Sequence, residues 1–63
     1  MNPKLFLIGS GEQYEISREH LPQKSDKIFI NDIQYIVNEI QTRFHVEGSE
    51  CLFERTTVFL EKA

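Results

Sequence analysis

The chain has few of the features that usually hold so small a fold together. It has a single cysteine, Cys51, so no disulfide can close within it. The other soft or borderline metal ligands are His20 and His45, and with Cys51 they form no C-x-x-C or H-x-x-x-H spacing. No zinc site and no cofactor is therefore expected. No apolar run approaches the roughly 20 residues that span a bilayer. The Leu5–Ile8 run, with Lys4 the one cationic side chain before it, is too short for a secretory signal core. These two absences imply a cytoplasmic protein without membrane contact, its Cys51 thiol reduced and half-buried. Positive charge is not in excess. The formal net charge is −3, which argues against general nucleic-acid binding, because that draws its affinity from basic surfaces on phosphate.

With 63 residues there is room for one domain, residues 1–63. A domain of this size buries only about 60% of the surface that its unfolded chain exposes. Disulfides, metals and oligomerisation are the usual supplements. With the first two removed by composition, self-association is expected, a homodimer first. Hydrophobic residues make up 40% of the chain and charged residues 27%, a balance that indicates a globular fold and not disorder.

Lys4-Leu5-Phe6-Leu7-Ile8 has the length of a strand and is stopped by Gly9-Ser10-Gly11. Gln13 to Ser17 then alternates, with Tyr14 and Ile16 on one side, so the first 17 residues read as a hairpin. Residues 18–25 form the main irregular connection. Pro22 biases Leu21 away from helical geometry, and Leu21 is expected to pin the loop to the core. Near the C-terminus, Thr57 to Leu60 reads as a strand, and Glu54-Arg55 breaks the apolar pattern enough to predict a bend, a bulge or a short turn.

Asp26 to Phe44 admits two readings. As a β-hairpin it turns at Asn31-Asp32, two residues that tolerate the left-handed region, and Ile33, Tyr35 and Val37 share a face of the following strand. As a helix over about 32–46, packed on a four-stranded sheet, it places Ile33, Ile36, Val37, Ile40 and Phe44 on one stripe, with Gly48 as the stop. The β-rich composition and the short polar link favour the hairpin.

An apolar-Phe-apolar triplet recurs at Leu5-Phe6-Leu7, Ile28-Phe29-Ile30 and Val58-Phe59-Leu60. Neighbours in a strand point to opposite faces, so each triplet gives aliphatics to one face and a phenylalanine to the other. Such a sheet has apolar groups on both sides, and its second face calls for a cover. Phe6, Phe29, Phe59 and, outside the triplets, Phe53 are the candidate interface residues.

Leu21-Pro22, Asp26, Ile28, Ile30, Asn31-Asp32, Tyr35, Val37 and Ile40 carry a pattern that resembles small all-β, SH3-like barrel proteins of bacteriophages and mobile elements. In that pattern an L-P loop leads to Gly-Asp, a short strand, a turn and Y-x-V-x-x-I. Here Ser25 stands at the glycine before Asp26, and Asp32 stands where a turn glycine is usual. The resemblance implies a β fold and a phage origin, and it brings no catalytic residues.

The remaining chemistry is sparse. His20 and His45 have no evident partner for acid–base work, and Cys51 lies between Glu50 and Glu54, which disfavour a thiolate. Gly9-Ser10-Gly11 lacks the lysine and the helix of a phosphate loop. Arg18, Arg43 and Arg55 are candidates to bind a small anion such as a nucleotide. No enzyme is expected, since so short a chain has little room for a concave site and its supporting shell. The sequence thus predicts a mainly β domain, a small antiparallel barrel or curled sheet of four or five strands. It is expected to be a homo-oligomeric binding protein, an inhibitor of a host defence protein that acts in the host cytoplasm. An anion sponge and a structural connector of a virion or larger assembly are the alternatives.

Overall fold

The computed structural model describes residues 2–63. It has five strands, β1 (Lys4–Leu7), β2 (Gln13–Glu15), β3 (Lys27–Ile30), β4 (Ile33–Glu47) and β5 (Glu50–Lys62), with a single 3-10 turn at Arg18–His20. They form one curled sheet, a half-barrel, in the order β2-β1-β5-β4-β3. The helix over about 32–46 is not formed. Residues 33–46 lie in β4, where β-branched and aromatic side chains suit a pleated surface. Three of the pairings are antiparallel, but β1 runs parallel to β5, in register from Lys4↔Thr57 to Leu7↔Leu60.

The turns explain why the long strands follow directly on one another. Asn31 and Asp32 take φ of 50° and 65°, the two positive angles that a type I′ hairpin needs to match the twist of its strands. Gly48 has φ 64° at the first position of the two-residue loop between Glu47 and Glu50, where a side chain would be strained. The register slips twice along β4–β5, leaving Asn38 as an extra residue on β4 and Glu54 on β5. The second slip is the irregularity expected at Glu54-Arg55. Such bulges bend a sheet and increase its twist.

The core is small. Leu5, Leu7, Val37, Val58 and Leu60 are buried, and Ile16, Ile28, Ile30, Tyr35 and Ile40 pack against them. The aliphatics of all three triplets therefore turn toward the core, and Phe6, Phe29 and Phe59 lie on the opposite face, as alternation requires. Leu21 corrects the expectation for the loop, because it is exposed. The loop is held by polar backbone bonds instead. Ser17 caps the 3-10 turn through Glu19 N, Asp26 Oδ2 accepts from Gln23 N at 2.8 Å, and Ser25 and Asp26 bracket Val37 with two 2.9 Å backbone bonds.

Candidate interaction surface

β4 and β5 are much longer than their neighbours. β3 pairs with residues 33–36 of β4, and the bonds from Ser25 and Asp26 extend that edge to Val37. β1 pairs with residues 57–60 of β5. Between these limits, residues 41–56 form a two-stranded arm that extends past the sheet, in a molecule 45 Å long and 18 Å thick. Every residue from Thr42 to Glu50 is exposed.

One side of the arm is apolar. From Ile40, which packs on the core, alternation carries Thr42, Phe44 and Val46 along the same face. Phe44 is directly opposite Phe53, their rings edge to face with centroids 6.1 Å apart. Val46 is opposite Cys51. Phe44 is 57% exposed and Val46 74%, and among the described residues Phe29, at 67%, is the one other large apolar side chain as exposed as these. Cys51 is exposed, not half-buried, because it lies near the end of the arm where no third strand covers it.

The four phenylalanines named from the sequence are not gathered on one surface. Phe6 and Phe59 pack on each other edge to face at 5.4 Å and are half-buried. Phe29 is 67% exposed on the edge strand β3, paired with Gln34. Phe53 is on the arm, on the face that leads to the core. The residues missed by sequence reasoning are Phe44 and Val46. The signal for them was present in the alternation Ile40, Thr42, Phe44, Val46, which the competing helical stripe through Phe44 obscured.

The three arginines are distributed differently. Arg43 and Arg55 are opposed residues of the β4–β5 pair. Arg55 Nη2 donates to Glu54 Oε1 at 3.2 Å, and its Nε is buried without a hydrogen-bond partner. Arg18 instead reaches from the 3-10 turn over the ring of Phe53, its guanidinium carbon 5.6 Å from the centroid, a cation–π contact. His45 Nε2 is 3.7 Å from Glu47 Oε2 on the exposed arm. His20 is exposed in the connecting loop. Away from the arm, Tyr14 donates its phenol proton to Glu12 Oε2 at 3.0 Å, and that bond and the carboxylate charge hold its pKa above the ordinary value.

Among the described residues there is no pocket and no group of three or more side chains suited to hold a metal. Among the described residues no helix is long and apolar enough to cross a membrane. No protein-family model, no curated protein and no solved structure matches the chain.

Proposed function

We propose that the chain is a non-enzymatic binding protein that works as a homo-oligomer and acts by covering another protein. The observation that supports this reading is the arm. A two-stranded ribbon is marginally stable by itself in water, yet this one extends into solvent with Phe44, Val46 and Phe53 exposed on one side. Exposed apolar side chains that form a contiguous patch mark interaction surfaces. In the setting that the bacteriophage resemblance implies, the covered protein is a component of host defence and the chain is its inhibitor in the host cytoplasm.

Light scattering on the purified protein over a concentration series tests the reading. A discrete mass of two or more chains is expected, and a Phe44→Glu variant with unchanged far-UV circular dichroism is expected to lose either that mass or the complex with a host protein. Open-ended polymers would indicate the structural connector instead. A wild-type monomer that forms no complex, matched by a neutral Phe44→Glu, would overturn the proposal.

The opposed pair Arg43 and Arg55 favours a second reading, a sponge for a small anion such as a nucleotide. Two guanidinium groups on one face of a ribbon can share a phosphate through charge-assisted bonds. A nucleotide is then expected to raise the melting temperature of the wild type but not of Arg43→Ala. Equal shifts, or none, would eliminate the sponge.

A further inference from the structure

We propose that two copies of this chain join through the outer edge of β4 on the arm, antiparallel about a two-fold axis at His45, to make a continuous four-stranded ribbon. This rests on the homo-oligomeric reading above and specifies the surface that would carry it.

The backbone of β4 is suited to such pairing. In an antiparallel ribbon, opposed residues alternate between hydrogen-bonded and non-bonded pairs. The two-residue loop makes Glu47↔Glu50 the bonded closing pair, so His45↔Leu52 is bonded as well, and Phe44 and Val46 direct their N–H and C=O groups away from β5. Among the described residues, no strand pairs with that edge beyond Val37. The run of β4 residues along this edge is uninterrupted, since the extra residue of the nearby bulge, Glu54, is on β5.

The side chains make the edge complementary to itself. Around an axis at His45, Phe44 meets Val46 of the second copy and Arg43 meets its Glu47, and symmetry makes each contact twice. The apolar face meets an apolar face, and opposite charges meet on the other side. Among the described residues Arg43 makes no ion pair, and Glu47 reaches only His45, at 3.7 Å. The register also makes Phe44 and Val46 of each copy bonded partners of the other, which is the pairing that their outward backbone groups require. An isologous contact of this kind closes at two copies.

The β5 edge is a poorer match. An axis at Leu52 would pair Cys51 with Phe53 but would set Glu50 against Glu54, and like charges directly opposed are destabilising. The bulge at Glu54 interrupts that edge, and the Arg18 guanidinium lies over the ring of Phe53 on that strand.

Crosslinking and charge exchange test the proposal. In a Cys51→Ser background, His45→Cys is expected to form an interchain disulfide under mild oxidation. Non-bonded pairs on a two-fold axis stand about 4.5 Å apart at Cα, within the reach of a disulfide. Thr42→Cys in the same background is the control, since its two copies would be separated by six residue steps, about 20 Å. By light scattering, Arg43→Glu and Glu47→Arg are each expected to give monomers, and the double exchange to restore the dimer. Far-UV circular dichroism checks that each variant is folded. A wild-type dimer that gives no disulfide at position 45 and persists in both single variants would overturn this edge and leave the homo-oligomer standing. A wild-type monomer at all concentrations would overturn both.

Discussion

Arg43 and Arg55 are directly opposed across the β4–β5 arm, two like charges at one rung of an antiparallel ribbon. Glu54 offsets one of them at 3.2 Å. The arrangement costs the isolated chain stability, because opposed like charges on a sheet are unfavourable by a fraction of a kcal/mol. Arg43→Thr is therefore expected to stabilise the monomer by about 0.2–1 kcal/mol. Urea unfolding at concentrations low enough to hold one chain per particle measures it, and a loss of stability would show that Arg43 has a favourable role within the fold.

Leu60 and Val58 are fully buried, and Leu60 stands between Leu7 and Val37 in the register of three adjacent strands. Leu60→Ala leaves a cavity at the centre of a core with few other members. A loss of about 2–5 kcal/mol is expected, comparable to the roughly 3–5 kcal/mol that a core of this class supplies. The variant should be largely unfolded by circular dichroism at 25 °C. Phe29→Ala, on an exposed edge-strand side chain, should unfold within about 0.5 kcal/mol of the wild type.

Ser25 and Asp32 adopt φ of 75° and 65°. The left-handed region costs an ordinary L-residue roughly 1–2 kcal/mol, less for aspartate, and glycine occupies it freely. Against that stands the backbone entropy that glycine adds to the unfolded chain, roughly 0.5–1 kcal/mol. Ser25→Gly is expected to gain the larger net stability of the two and Asp32→Gly a few tenths of a kcal/mol, read as rises in melting temperature. A fall for Ser25→Gly would show that its side chain holds the loop by more than the backbone bond to Val37.

The same positions show how far the fold was legible in the residues. The alternation of Tyr14 and Ile16, the triplets and the polar pair Asn31-Asp32 each carry local information, and strands, core faces and turn followed from them. The parallel pairing of β1 with β5 did not, because it joins residues more than fifty positions apart and no local pattern encodes it. The arm was hidden for a related reason. A strand inside a sheet and a strand that outruns its neighbours have the same period of two, and only the lengths of β1 and β3 reveal that residues 41–56 extend alone. Arg43 and Arg55 were legible as cations but not as neighbours, since their pairing depends on the Gly48 loop and the bulge at Glu54 together.

The arm should also be separable from the sheet in its dynamics. Val58 and Leu60 are covered and flanked by strands on both sides, so their amides are expected to exchange with solvent only on global unfolding. In the arm, the ring pair Phe44–Phe53 and the guanidinium of Arg18 over Phe53 are the main contacts beyond the ladder. Aromatic pairs contribute about 0.5–1.5 kcal/mol, so the arm amides of His45 and Leu52 should open locally and exchange much faster than that of Val58. Phe53→Ala should speed them further and leave Val58 unchanged. The amides of Phe44 and Val46, directed away from β5, should exchange fastest of all in dilute protein. If two copies pair along this edge, those two amides become protected as concentration rises, while the β5 amides beside them change less. Fast exchange at Phe44 and Val46 at every concentration, in a protein that scatters light as a dimer, would place the contact elsewhere.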